Sequence, residues 1–340
     1  MTKISSYVSM TRRIRPMKSA PKVWNYVKYR ALSRRAETSC ARYSPQIASL
    51  LLTKRCNMSC RFCNVGGFMH DKSTTWQAME ADLEKVQRIF TNPLFSSALL
   101  VDLLGGEPLL VKDLPRIVAF LSKRGHLTNM ATNGVLLADQ IGNLKVAGIS
   151  RVSVSVYEDN RTILERDLPD INKVLPVHAS MVLFRHEVER APEAIIQTVR
   201  FLKDAGCLDL RFWIYRPIGT HPDPEEILFD DDAALLALRA QLESAIPGFC
   251  LWPVASRKGP VKKLCPQLWQ RVGCDMAGDL GICCGTDVLL PAPGGNLFET
   301  SPDRVFNHPI LVEMRRQLLD PVAAPPDLCL DCNLLGDPGW

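Results

Sequence analysis

Residues 47–63 read Ile-Ala-Ser-Leu-Leu-Leu-Thr-Lys-Arg-Cys-Asn-Met-Ser-Cys-Arg-Phe-Cys. The apolar run 47–53 stops at Lys54-Arg55 and has the length and composition of a short buried strand. Directly after it, Cys56, Cys60 and Cys63 stand in C-x3-C-x2-C spacing on a loop. That spacing lets three thiolates converge on one metal centre. Three is one too few to close a structural zinc tetrahedron. A cubane iron–sulfur cluster has four irons, so three thiolates leave one iron open to a further ligand. The competing reading is a zinc knuckle that borrows a fourth ligand, with His70 as the candidate. Position favours chemistry, because active sites in parallel α/β architectures gather at the carboxyl ends of the strands.

Beyond this stretch, strand-like and helix-like segments alternate. Trp76, Met79, Leu83, Val86 and Phe90 have helical spacing over 74–90, with Thr74 or Thr75 as N-cap. Strands are expected over 98–104, 127–132, 151–157, 177–184 and 208–215. Helices are expected over 114–121, 141–147, 194–205 and 233–245. Such repeated alternation predicts parallel βαβ units, closed into a full or partial barrel or laid out as an open doubly wound sheet.

Composition bounds the rest. The chain has 340 residues, 46% of them apolar and 23% charged. That is enough to bury one large core or two moderate ones, and it is not the composition of a disordered chain. No uncharged apolar run approaches the ~18 residues that span a bilayer. No secretory leader is recognisable, so a cytoplasmic location is expected. The twelve cysteines are then read as ligands or core residues rather than a disulfide framework.

The charge is uneven. Residues 1–40 hold ten basic side chains against one acid, Glu37, a local charge of +9 where the whole chain carries +5. Residues 41–340 therefore carry −4. Trp24, Tyr26, Val27 and Tyr29 lie among these bases, in the pattern of a short basic amphipathic helix. Such an arm suits an anionic partner, among them a peripheral membrane contact, or it packs across the main domain with its charges solvated. No transmembrane span and no nucleic-acid partner are expected.

Near residue 247 the pattern changes. Pro247, Gly248, Pro253, Gly259 and Pro260 punctuate a helix-poor stretch, and six of the twelve cysteines follow it. Three parts are expected: a basic arm over 1–45, a βα body over 46–246, and a linker with a cysteine-rich end over 247–340. The last part holds Cys265, Cys274, Cys283, Cys284 and the C-x2-C knuckle Cys329–Cys332. Two pairs of thiolates can close a four-coordinate centre, either zinc or a fully ligated iron–sulfur cluster.

With these motifs in view, the chain resembles the radical S-adenosylmethionine (radical SAM) superfamily over residues 46–217. C-x3-C-x2-C with aromatic Phe62 before its third cysteine is the family's signature. Gly105-Gly106-Glu107-Pro108 looks like the family's GGEP loop, which holds the methionine amino group. Thr132-Asn133-Gly134 is similar to its TNG turn, and Ser155 falls where members place a polar residue near the ribose. The resemblance implies a partial (β/α)6 barrel, a [4Fe–4S] cluster on Cys56, Cys60 and Cys63, and SAM on the open iron. Physically, two glycines admit close backbone approach, and Glu107 can pair with an ammonium. Arg185 and Arg216 are the candidates to hold the SAM carboxylate.

The cysteine-rich end is similar to the twitch domain, the shortened form of SPASM, in its pattern C-x12-G-x4-C followed by a distant C-x2-C. This implies one auxiliary [4Fe–4S] cluster on Cys265, Cys283, Cys329 and Cys332, two clusters in all. Cys284, adjacent to Cys283, is the alternative ligand. Cys250, Cys274 and Cys284 are spare thiols able to donate a hydrogen atom to a substrate radical. The family implies reductive SAM cleavage to a 5′-deoxyadenosyl radical, fed by an external one-electron reductant such as a flavodoxin or ferredoxin. A fully ligated second cluster has no place for substrate and suits electron transfer. The leading expectation is therefore dehydrogenation of a small hydroxylated molecule. The alternatives are maturation of a ribosomally made peptide and, from another class, a non-catalytic zinc module.

Overall fold

The computed structural model describes residues 16–33, 38–60, 62–63, 80–215, 223–253, 265–283, 289–329 and 332. Within the first segment, side chains are described for residues 20–29. Arg216, Cys284, His70 and the 74–79 part of the expected first helix lie outside the described residues.

One sheet organises the molecule. Its strands are β1 Ile47–Leu51, β2 Leu100–Leu104, β3 Leu127–Thr132, β4 Arg151–Ser155, β5 His178–Leu183, β6 Leu210–Ile214, β7 Cys250–Leu251 and β8 Arg271–Cys274. They run in the order β7-β6-β5-β4-β3-β2-β1-β8. Every neighbouring pair is parallel. Strands β1–β6 are the six units of the expected partial barrel, and the sheet does not close. The two edge strands both come from beyond residue 246, so the sheet continues across the expected boundary at that point.

Alternation along the strands sorts the side chains. Leu50, Val101, Leu103, Met130, Val152, Val154 and Leu210 are fully buried on one face. Each such side chain contributes roughly 1.5–3 kcal/mol by leaving water. The other face carries polar groups at mid-strand in β1, β2 and β3, met by Arg271 at the start of β8. Arg271 Nη1 pairs with Asp102 and donates to Ser49 Oγ. Asn129 Nδ2 donates to the other Asp102 oxygen at 2.9 Å.

The helices cover the sheet: α1 Pro16–Ser33, α2 Leu83–Ile89, α3 Pro93–Ser96, α4 Leu114–Lys123, α5 Leu137–Ala147, α6 Glu158–Val174, α7 Arg185–Arg190, α8 Pro192–Asp204, α9 Ala233–Ala245, α10 Gln267–Gln270, α11 Pro302–Phe306 and α12 Pro309–Leu319. Several differ from the sequence reading, among them α7 and the eleven-residue α12, which it did not expect. The helix expected over 74–90 is not continuous, because α2 starts only after Asp82, whose carboxylate accepts from the Lys85 N–H at 2.8 Å. Just before it, Ala81 N–H is held by the Leu52 carbonyl. Helix α6 was not anticipated. Its buried apolar positions Leu164, Leu168 and Ile171 are sparse among charges, and Pro169 interrupts the pattern.

Candidate functional site

Cys56, Cys60 and Cys63 leave the sheet at the carboxyl end of β1, and the loop after β2 is built against their approach. Gly106 N–H donates to the Thr53 carbonyl at 2.8 Å, and Glu107 N–H to the Arg55 carbonyl at 2.7 Å. A Cβ added at Gly105 would lie 2.4 Å from Thr53 O, and one at Gly106 would lie 2.1 Å from Arg55 O. Glycine is required here because two backbones touch. The close approach expected toward a ligand is, in this structure, an approach to the segment that presents Cys56.

Glu107 is fully buried. Its Oε1 accepts from Leu109 N–H at 3.0 Å and from the Thr132 hydroxyl at 2.7 Å. Its Oε2 accepts from Asn133 N–H at 2.8 Å. Burial pushes its pKa up while these hydrogen bonds pull it back, and burial prevails. The structure gives both oxygens to protein donors, so Glu107 ties the GGEP loop to the TNG turn. Pro108, buried beside it, opens a short 3-10 turn, Pro108–Leu110.

The tie continues to the cysteines. Asn133 Nδ2 donates to Asn57 Oδ1 at 2.7 Å and lies 3.7 Å from Cys56 Sγ. Asn160, fully buried on α6, donates to the Asn133 carbonyl at 2.7 Å and the Ser155 carbonyl at 2.8 Å. It thereby joins the ends of β3 and β4. Sequence reasoning missed Asn160 because it missed the helix. The available signal was an asparagine three residues past Tyr157, whose N–H it accepts at 2.8 Å.

Phe62 forms the near side of an aromatic shelf. Its ring centroid lies 5.1 Å from Tyr157 and 5.3 Å from Phe184, and Phe184 lies 4.9 Å from Tyr215. Tyr157, Phe184 and Tyr215 follow β4, β5 and β6, so the shelf crosses the carboxyl ends of three strands. Ser155 ends β4, with its Oγ 3.3 Å from Ser180 Oγ. Arg185 is at the same end, and its guanidinium is engaged by the carbonyls of Glu225 and Ile227 and by the carboxylates of Glu189 and Asp232.

Without metal, Cys56 and Cys60 are held as thiols. Burial first, then the charges of Cys63 and Cys56, push the Cys60 pKa up to about 11. Burial likewise raises Cys56. Three soft donors that repel one another as thiolates are a set that a cluster of iron cations relieves. Among the described residues no such group is drawn together at coordination distance. The fit to a [4Fe–4S] cluster rests on donor chemistry, number and placement.

In the cysteine-rich end, Cys265 and Cys329 are buried, and Cys283 and Cys332 are half-buried against the same core. Cys332 N–H donates to the Cys329 carbonyl at 3.2 Å, the tight turn expected of C-x2-C. Among the spare thiols, Cys250 is buried on edge strand β7, and burial pushes its pKa up to about 12. Cys274 is buried at the carboxyl end of β8, its thiol raised well above the ordinary value by burial.

Residues 50–228 match the model of the radical SAM superfamily, more than half the chain, and the protein belongs to that superfamily. The family implies a [4Fe–4S] cluster and SAM. The chain is 31% identical over 193 residues to the GTP 3′,8-cyclase of Aquifex aeolicus, covering 52% of this chain and 59% of that protein. It is 34% identical over 181 residues to a probable GTP 3′,8-cyclase of Saccharolobus islandicus, covering 50% and 57%. The chain thus spans under two thirds of the length of these curated relatives. Streptococcus suis SuiB bound to S-adenosylmethionine superposes with a TM-score of 0.62 over 86% of this chain and 72% of SuiB, at 16% identity. That likeness is one of fold.

Proposed function

We propose that this protein cleaves SAM reductively and uses the resulting radical to oxidise a small hydroxylated substrate, with a second cluster in the cysteine-rich end as electron acceptor. The observation that carries the first half is the placement of Cys56, Cys60 and Cys63 at the carboxyl end of β1, braced by the Glu107–Thr132–Asn133 tie. Cys56, Cys60 and Cys63 would hold a [4Fe–4S] cluster, which with SAM would supply reductive cleavage to a 5′-deoxyadenosyl radical. Asn133 orients the first cysteine. Phe62, Tyr157 and Phe184 offer apolar faces that exclude water beside it. Gly105, Gly106, Pro108 and Ser155 line the same end of the sheet and belong to the proposed SAM cradle, with Arg185 at the start of α7 as a candidate for the carboxylate; the other candidate, Arg216, lies outside the described residues.

The oxidative half rests on Cys265, Cys283, Cys329 and Cys332, four thiols that are buried or half-buried and equal in number to the ligands of a closed [4Fe–4S] site. A substrate radical that loses a proton and an electron has undergone two-electron oxidation, and a fully ligated cluster is suited to take the electron. A second reading, ring closure on a nucleotide, is favoured by the identity to the two cyclases over the barrel region.

Anaerobic reconstitution with SAM and dithionite, followed by mass spectrometry, tests both. Candidate polyols, GTP and precursor peptides are offered in parallel. Formation of 5′-deoxyadenosine with loss of two mass units from a polyol is expected. No 5′-deoxyadenosine under any condition overturns the radical reading, and turnover of GTP or a peptide alone overturns the oxidative one.

A further inference from the structure

Helix α1 turns an apolar stripe away from the body. Ala20, Val23, Trp24 and Val27 stand at i, i+3, i+4 and i+7, the spacing of an apolar stripe that ordinarily faces a core. Here the stripe faces solvent: Val23 is 38% exposed, Trp24 61% and Val27 46%, and Ala20 is exposed beside them. The buried face is mixed: Tyr29 sits in the core with its ring 5.3 Å from Tyr43, Tyr26 packs partly against the same core, and polar side chains beside them are held by hydrogen bonds. Lys22 Nζ donates to the Arg124 carbonyl at 3.1 Å. Asn25 Nδ2 donates to the Ser44 carbonyl at 3.1 Å, and Tyr29 donates to Gln270 at 3.2 Å. This face, held by the two tyrosine rings and by hydrogen bonds, fixes the helix on the body and leaves the Ala20–Val27 stripe outward.

We propose that α1 is an interfacial helix that lays Ala20, Val23, Trp24 and Val27 on an anionic lipid surface. The charge of residues 1–40, +9 against −4 for the rest, selects the sign of the partner. Lys28 Nζ lies 5.9 Å from the Trp24 ring, so a cation flanks the stripe itself. A second copy is disfavoured because two such arms repel. Four side chains also fall far short of the ~800 Å² per partner of a specific protein interface. A lipid surface needs only a short apolar face with a basic flank. No helix among the described residues is long and apolar enough to cross a membrane, so α1 lies on the surface. Its contacts, Arg124, Ser44 and Gln270, precede β3, β1 and β8. The helix therefore sits at the amino ends of the strands, and the cysteine loop at the opposite end faces away from the lipid.

Flotation of the full-length, iron-loaded protein with vesicles tests this. Phosphatidylglycerol–phosphatidylcholine vesicles should carry the protein, and phosphatidylcholine alone should not. Raised salt should weaken binding. Trp24→Ala with Val27→Ala should weaken it by about tenfold or more, with circular dichroism and iron content unchanged because both side chains are exposed. Lys28→Glu should weaken it in the same direction. Equal flotation with both vesicle types, or flotation indifferent to these substitutions, overturns the proposal. So does a dimer, or capture by an acidic ferredoxin, that depends on Trp24 where vesicle binding is absent.

Discussion

The Thr132 hydroxyl donates to Glu107 Oε1 at 2.7 Å, and through this contact the loop after β2 is locked to the turn after β3. Because Glu107 Oε2 also takes the Asn133 N–H, one buried carboxylate sets the position of the residue that touches Cys56. Glu107→Gln places an amide N–H₂ against one of these N–H donors. A buried donor left unmet costs about 1–3 kcal/mol. The expected outcome is a lower melting temperature and weaker SAM binding by calorimetry, with the cluster still assembled. Unchanged stability and affinity would remove Glu107 from its role as the tie.

Asn133→Ala removes the amide beside Cys56 Sγ, 3.7 Å away, together with its 2.7 Å bond to Asn57. Hydrogen bonds to cluster sulfurs raise reduction potentials by stabilising the more negative, reduced state. The potential of the cluster on Cys56, Cys60 and Cys63 should therefore move more negative in the variant, read by an electron paramagnetic resonance titration. A shift in the opposite direction contradicts the contact.

Asp102 and Arg271 form a mostly buried ion pair between β2 and edge strand β8, with β1 between them, and Asn129 supports the carboxylate. Removing one partner of such a pair strands the other charge, at a cost of about 3–5 kcal/mol. Asp102→Ala should show that loss in urea denaturation. Asp102→Leu with Arg271→Met should recover most of it. If the double variant is no better than the single one, the pair does not act as a unit.

The sequence disclosed the strands better than the ties between them. β3 was read to the residue over Leu127–Thr132, and helix α9 over Ala233–Ala245, because apolar periodicity is strong there. The cysteine loop and the GGEP and TNG turns were legible because their residue types are rare in such spacing. What Glu107 touches was not legible, since a carboxylate beside two glycines reads equally as a ligand for an ammonium or as a brace. Asn160 was hidden in helix α6, whose buried Leu164, Leu168 and Ile171 are too few to announce it. The edge strands β7 and β8 were also hidden, being two and four residues long, and β8 pairs with β1, far away in sequence. The outward stripe of α1 is a tertiary fact, because an amphipathic pattern shows that a stripe exists and not which way it turns.

Two clusters per chain predict an iron content of about eight, four for each cubane. Cys329→Ala should halve it while SAM-dependent 5′-deoxyadenosine formation persists. Cys60→Ala should also halve it but abolish that product. The asymmetry follows from the separate places of the two sets in the chain, one just after β1 and one beyond residue 264. Zinc in either site, found by metal analysis of anaerobically prepared protein, would contradict the assignment.

The stability of the junction with α1 should depend on pH through His126. Its Nδ1 lies 2.8 Å from the Ala98 carbonyl, which makes it the donor, and its Nε2 is buried without a hydrogen-bond partner. Burial, joined by the charges of Lys22 and Arg124, depresses its pKa to about 3. The unfolded chain takes up a proton near the ordinary value of about 6.5, while the folded chain does not. Between these values the unfolded state binds more protons, so stability is complete above about pH 6.5 and falls as pH drops, by at most about 1.4 kcal/mol per pH unit. His126→Gln keeps a donor for Ala98 and removes the titration. Denaturation midpoints between pH 6.5 and 5 should then decline for the parent protein and stay flatter for the variant. Parallel declines would mean that His126 is protonated in the fold.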